Sequence, residues 1–362
     1  MDFEAFISSR ISKLPFKRHL PIVNENFEDF CSNDYLGLAR RFPFLDADFI
    51  PSGSSGSRLI SGNHPAAISF ENYLSEFFTG FDVLTFTSGY MANLAAISSL
   101  VPRNALIFYD EKVHSSIKDA MRLSLGKKIP YSHQQLSTLE KKLKKFNTGI
   151  KFIVTESLFS MDGDFTDLEY LTFLSEKHRA YVILDEAHAF GIFGHCHRGM
   201  AEYFGLEEKI HVRIITFGKA LGLVGAAIIG PKPLREFLVN HARTFIYTTA
   251  LPPFIYHLLE KNLHYILENS DIHNRFQQNL ELFYSIVPSH QPVKSPIFMF
   301  RPGKSNLQET AKKMQTHAWA VKAIFPPTVK PGEEAIRITL HSFNRPENVR
   351  NLAYFVKKQL HG

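Results

Sequence analysis

Between about residue 70 and residue 230 the chain alternates between two hydrophobic rhythms. Short, almost continuous apolar runs rich in β-branched and aromatic residues occur at 82–87 (DVLTFT), 105–110 (ALIFYD), 151–157 (KFIVTES), 180–186 (AYVILDE), 212–217 (VRIITF) and 226–230 (AAIIG). They predict strands buried on both faces. Between them, 89–100, 114–124, 134–146 and 167–178 carry apolar residues at helical spacing. Strands alternating with helices predict an α/β fold: a mainly parallel central sheet with helices on both faces. Ligands then bind beyond the carboxyl ends of the strands.

The rhythm changes after about residue 250. PIFMFRP, AVKAIFPP and IRITLH read as strands, and 305–317 and 346–360 as helices, so a smaller α+β C-terminal domain is expected. At the other end lie an N-terminal helix, a hairpin-like LPIVNENFEDFCSNDYLGL and a Gly/Ser loop, PSGSSGSRLISGNH. The expected division is 1–60 for the N-terminal segment, 61–250 for a large domain and 251–362 for the small one.

Composition changes this picture little. A hydrophobic share of 44% and a charged share of 21% suit a soluble globular chain with a large core, and the 33 Phe read as core material. The net charge of +6 suits anionic partners, but the densest basic stretch, KKLKKF at 141–146, reads as the solvated face of a helix. Nucleic-acid binding is not expected. Cys31 and Cys196 are too few for a disulfide framework, which suits a reducing cytoplasm. The first residues, MDFEAFISSRISKLPFKRHL, lack the continuous apolar core of a secretory signal, and no apolar run is long enough to span a bilayer.

Four stretches carry chemistry. In TSGYMAN a strand ends and Ser88-Gly89-Tyr90 open a helix. Free backbone N–H groups there would hold a phosphate, although an ordinary helix capped by Ser88 fits as well. In VILDEAHAFG, Asp185 ends an apolar strand and His188 follows. DEAH also marks some RNA helicases, but the phosphate-cradling loop they need is missing, because Gly218-Lys219 is followed by Ala220. A carboxylate at that strand end instead suits a protonated heterocyclic nitrogen. GHCHRG gathers His195, Cys196 and His197, yet no second cysteine stands at metal-ligand spacing, so no metal is expected. In TFGKALGLVGAA, Lys219 is the one charge among small and apolar residues, where desolvation lowers an amine's pKa. The helix start at Ser88, His114 as a ring stacker, Asp185 with His188, and Lys219 match in this order the needs of pyridoxal 5′-phosphate: phosphate clamp, ring face, pyridinium partner and Schiff-base lysine.

The same stretches resemble the α-oxoamine synthase family of fold-type I pyridoxal-phosphate enzymes. FCSNDYLGLA, GSSGSRLISG, TSGYMAN, ESLFSMDGD, LDEAHAFG, TFGKALGLVGAA, FIYTTALPP and PPTVKPGEEAIRITL carry the resemblance over nearly the whole chain. It implies covalent attachment of the cofactor to Lys219, with Asp185 on the pyridine nitrogen, His188 at the ring hydroxyl and His114 on the ring face. It implies Ser88, Gly89, Tyr90 and Thr216 around the phosphate, with Thr249 from a second subunit of a homodimer. Ser160 is implied near the ring oxygen, and Asn33 and Arg337 near the substrate. GSSGSRLISG and PPTVKPG favour the branch that joins L-alanine to a pimeloyl thioester, on coenzyme A or a carrier protein. Glycine- or serine-using branches, a different acyl donor, and a non-catalytic subunit stay open as alternatives. Two departures stand out: Ala67 where relatives carry a histidine, with His64 nearby, and Leu223-Val224 where smaller residues are usual.

Overall fold

The computed structural model describes residues 3–13, 24, 26–41, 51–289, 291–302, 306–326 and 328–360. The chain opens with helix α1 (Phe3–Ser12) and a two-residue strand, β1 (Glu28–Asp29). Residues 20–23 and 25 of the expected hairpin lie outside the described residues.

The chain forms two compact units. The larger, residues 33–277 with 341–343, is built on seven strands: β2 (Asp82–Phe86), β3 (Leu106–Asp110), β4 (Lys127–Tyr131), β5 (Lys151–Glu156), β6 (Ala180–Asp185), β7 (Val212–Thr216) and β8 (Ala226–Gly230). Their order across the sheet is β2-β8-β7-β6-β5-β3-β4. Only β8 runs against the rest, pairing antiparallel with β2 and β7, so six strands present their carboxyl ends along one edge.

All six positions of β5 and all five of β8 are buried, the mark of strands covered on both faces. Six of the seven strands match the apolar runs to within a residue or two. The exception is β4, which the sequence pattern does not reveal. It is an edge strand with mostly exposed positions, and Pro130 is tolerated there because an edge strand can spare one ladder donor.

Helix α2 (Pro65–Phe77) precedes β2, and α3 (Gly89–Leu100), α4 (Ser115–Leu123), α5 (Leu136–Lys145) and α6 (Leu168–His178) link the successive strands from β2 to β6. Helix α3 is lined with Ala92, Ala95 and Ala96, all fully buried, and small side chains let it pack closely on Leu84, Ile183, Ile214 and Ile228 of the sheet. Each fully buried Leu or Ile here contributes about 1.5–3 kcal/mol. Helices Pro253–Glu268 and Ser270–Ile286 follow the sheet, over a segment the hydrophobic pattern leaves unassigned.

The smaller unit takes residues 1–32, 278–340 and 344–362. Here β1 pairs in parallel with β10 (Trp319–Ala320). The antiparallel sheet has the order β11-β12-β9, from β9 (Ile297–Phe300), β11 (Lys322–Ile324) and β12 (Ala335–Thr339). Helices Leu307–Thr316 and Pro346–Leu360 complete it. The units differ in extent from the three segments expected from sequence. Residues 1–32 of the expected N-terminal segment group with the C-terminal elements, whereas 33–60 and 251–277 group with the large sheet.

Candidate active site

Five of the six carboxyl-end loops carry residues singled out in the sequence. Ser88 and Gly89 follow β2, His114 follows β3, Ser160 follows β5, Asp185 ends β6 with His188 beyond it, and Thr216 ends β7 with Lys219 beyond it. The parallel register brings loops distant in sequence to one row, the place where such sheets bind ligands.

A buried hydrogen-bond chain crosses the row. Asn93 Nδ2 donates to Asp185 Oδ2 at 2.7 Å and to Ser116 Oγ at 3.1 Å. Ser116 Oγ lies 2.7 Å from His114 Nδ1, which also accepts from the Ser116 N–H at 3.2 Å. The Ala187 N–H donates to Asp185 Oδ1 at 2.8 Å. Asp185 is thus a buried acid held by neutral donors. Burial pulls the His114 imidazole below its ordinary range, the Asp185 charge opposing and the Lys219 and Lys118 charges assisting. Both Asp185 and Lys219 therefore act on His114 electrostatically, and the ring is neutral near pH 7.

Glu156 stands beside this chain and was not singled out in the sequence. It accepts the His114 backbone N–H at 2.6 Å, and burial together with the Asp185 charge pushes its carboxyl up to about 8, against the pull of that N–H and of Lys219. Three further residues were missed, Ser116 of the chain among them. Tyr35 is fully buried and its hydroxyl meets His188 Nδ1 at 2.6 Å, across a long sequence separation that no local pattern exposes. Asn93 lies one helical turn beyond Gly89, on the same face of α3, and that spacing could have revealed it.

At the start of α3, Ser88 is the N-cap and accepts from the Met91 N–H at 3.2 Å. A Cβ on Gly89 would collide with Thr216 Cγ2, so only glycine lets the helix start approach β7. The Tyr90 hydroxyl donates to Asp119. Thr249 forms a bridge with Ser57 and lines a cavity with Thr87, Arg58 and Tyr256. Lys219 is half-buried and opens a turn closed by the Gly222 N–H to its carbonyl at 2.9 Å. Gly222 has φ 65, and a Cβ there would strike the Ala39 backbone. Asn33 is half-buried and its carbonyl accepts from the Tyr35 N–H. Arg337 lies in the smaller unit, buried on β12, with Nη1 donating to Thr339 Oγ1 at 2.9 Å.

The other sequence features resolve locally. His197 stacks on His273 with ring centroids 3.5 Å apart, and the N–H groups of Cys196 and Arg198 donate to Glu202, which closes the GHCHRG loop. His64 caps α2 by accepting the Ala66 N–H, and Ala67 is fully buried. Val224 is exposed.

The donor set fits pyridoxal phosphate. A buried carboxylate without a cationic partner in the bonds above suits a protonated ring nitrogen, and Asn93 Oδ1 and Ser157 Oγ are buried without hydrogen-bond partners among the described residues. Gly89 against Thr216 leaves helix N–H groups for a phosphate. The architecture is that of the fold-type I transferases.

The family model for aminotransferase class I and II matches residues 25–355. The 8-amino-7-oxononanoate synthase of Methylococcus capsulatus is 33% identical over 360 residues, covering 96% of this chain and 93% of that protein. That of Methylobacillus flagellatus is 33% identical over 352 residues, covering 92% and 87%. Among solved structures, the 8-amino-7-oxononanoate synthase of Francisella tularensis superposes with a TM-score of 0.77 at 29% identity, covering 93% of this chain and 99% of that one. Serine palmitoyltransferase from Sphingomonas wittichii has a TM-score of 0.87 at 24% identity, covering 99% and 95%, a likeness of fold. The chain belongs to the aminotransferase class I and II family and, within it, to the 8-amino-7-oxononanoate synthase family. Membership makes it a pyridoxal-phosphate-dependent transferase. No helix among the described residues is long and apolar enough to cross a membrane.

Proposed function

We propose that the protein condenses L-alanine with a pimeloyl thioester, releasing carbon dioxide and the thiol and forming 8-amino-7-oxononanoate. The observation that carries this reading is the buried chain His114–Ser116–Asn93–Asp185 beside Lys219, in a sequence one-third identical to named synthases over nearly its whole length. Bound pyridoxal phosphate supplies an electron sink for the amino-acid Cα.

The chain's own residues divide the remaining work. Lys219 Nζ would hold the cofactor and, once freed from it, would take the proton from the amino-acid Cα. Asp185, oriented by Asn93 and the Ala187 N–H, keeps the ring nitrogen protonated. Neutral His114 lies on the ring face, and His188, fixed by Tyr35, meets the ring hydroxyl. Ser88, Gly89, Tyr90 and Thr216 hold the phosphate, with Thr249 supplied by a second copy in a homodimer. Ser160 sits near the ring oxygen. Asn33 and Arg337 bind substrate, the guanidinium gripping the amino-acid carboxylate. Cys31 and Cys196 are free thiols, which suits a cytoplasmic setting.

The test is thiol release with L-alanine plus pimeloyl-CoA, run beside glycine plus acetyl-CoA and L-serine plus palmitoyl-CoA. Release with the first pair alone is expected; release only with another pair overturns the substrate assignment and leaves the cofactor chemistry standing. Lys219→Ala should lower turnover by about 10³-fold or more while leaving the circular-dichroism spectrum unchanged. Turnover retained in that variant would remove Lys219 from the reaction.

A further inference from the structure

One carboxyl-end loop has no role so far, the one after β4. It carries His133, at the outer end of the row of loops. Its imidazole bridges two carboxylates. Nδ1 meets Asp110 Oδ1 at 2.9 Å, at the end of β3, and Nε2 meets Asp164 Oδ2 at 2.8 Å, in the loop after β5. The ring also stands edge-on to Phe159, with centroids 4.6 Å apart. The His133 side chain is only 11% exposed and that of Asp110 3%.

A ring nitrogen facing a carboxylate must donate, so two such nitrogens require the imidazolium. A neutral ring would turn a lone pair on one of the carboxylates. Asp110 is itself fixed by the N–H groups of Lys112 (2.8 Å) and Gln134 (3.3 Å). On the far side of the bridge, Leu158 and Phe159 are buried and Leu158 pairs with Phe165. The Phe159 N–H donates to the Asp164 carbonyl, and the Gly163 N–H to that of Phe159, which closes a turn containing Ser160. A second ion pair on the turn, Lys112 to Asp162 at 2.9 Å, is more exposed and so weaker.

We propose that His133, as an imidazolium, is a positioning residue that clamps the 158–165 loop to the sheet edge and so places Ser160. The inference rests on the cofactor reading of this edge. The groups facing the ring are Asp110 from β3 and Asp164 from the loop, with Asp162 within 4.8 Å and itself paired to Lys112, while Glu111 accepts the His133 backbone N–H at 3.4 Å. Burial pulls the imidazole down, but the bonds and charges of Asp110 and Asp164 outweigh it and raise the pKa to about 9. The sign follows from that shift: the clamp is complete below the ordinary histidine value, about 6.5, and is released as pH rises through about 9. A divalent cation is the competing occupant, because His133, Asp162 and Asp164 could each offer one atom within 4.8 Å of the others. It would have to displace both the imidazolium bridge and the Lys112 tie.

The test uses the protein loaded with pyridoxal phosphate, without substrates, so that a wrong substrate assignment leaves its outcome untouched. His133→Ala should accelerate amide exchange at 158–165 by about tenfold and leave the core strands unchanged. The wild type should show the same acceleration, beyond the intrinsic pH dependence, as pH rises through about 9, and His133→Gln should lack that step. Should His133→Ala not fold, Asp164→Asn removes the loop side of the bridge at nearly constant volume and should give the same acceleration. Unchanged exchange in these variants overturns the proposal, as does a pH step that survives in His133→Gln. So does protection that EDTA removes from the wild type and Mn²⁺ restores, which would assign the cluster to a cation.

Discussion

Two buried carboxylates in the larger unit have opposite surroundings. Glu71, on α2, accepts from both terminal guanidinium nitrogens of Arg58, from the N–H and hydroxyl of Thr85, and from Arg235 at 3.2 Å. Glu156, at the carboxyl edge, receives the His114 N–H and lies within the field of a second acid, Asp185. Glu71 is neutralised by the chain itself. Glu156 and Asp185 stand opposite each other on β5 and β6, and burial with the Asp185 charge raises the Glu156 carboxyl to about 8, so the pair keeps a proton that no neighbouring cation replaces. A buried acid surrounded by its own cations stabilises the fold, whereas a buried pair of acids is completed by something that binds.

The largest effect that would test this contrast comes from Arg58→Met, which leaves Glu71 buried with only the half-exposed Arg235 as cation. It should cost about 3–5 kcal/mol in urea unfolding at pH 7. A loss below about 1 kcal/mol would mean that Glu71 is as poorly compensated as Glu156 and would break the comparison. Next is Glu156→Gln in cofactor-free protein. A carboxyl raised from its ordinary 4.5 to about 8 contributes stability that is complete below 4.5 and lost as pH rises through 8. The melting temperature of the wild type should therefore fall more steeply than that of the variant between pH 5 and 8. Parallel curves would place no strain at Glu156. The smallest effect belongs to a carboxylate at the surface: Asp167 caps α6 by accepting the Tyr170 N–H at 2.9 Å, and Asp167→Ala should cost about 1 kcal/mol with no dependence on cofactor.

The neutralised acid was invisible in the sequence and the chemical centre largely was not. Asp185, His188 and Lys219 sit directly at the ends of strands whose apolar runs are unmistakable, so their shared edge follows from the fold class. Glu156 also ends such a run, in KFIVTES, but its importance comes from Asp185 on the neighbouring strand, a register relation that no single run contains. Tyr35 meets His188 through tertiary packing alone. Strand β4 escaped because its KKIPY shows just Ile129 and Tyr131 to the interior, too few apolar positions to set a rhythm. With the strand hidden, the loop that carries His133 was hidden too.

The antiparallel strand β8 also bears on the order of synthesis. Ser88 and Gly89 follow β2, yet β2 joins the sheet by pairing with β8, from Asp82 opposite Gly230 to Phe86 opposite Ala226. The early loop acquires its place beside Thr216 only after the chain through residue 230 has left the ribosome. Pairings this distant in sequence form slowly. A nascent chain stopped short of β8 would carry Lys219, Asp185 and His114, but β2 and the helix start that follows it would have no strand joining them to the sheet. Capture of the cofactor is thus a late event in the life of each new chain, and prematurely terminated chains should be colourless.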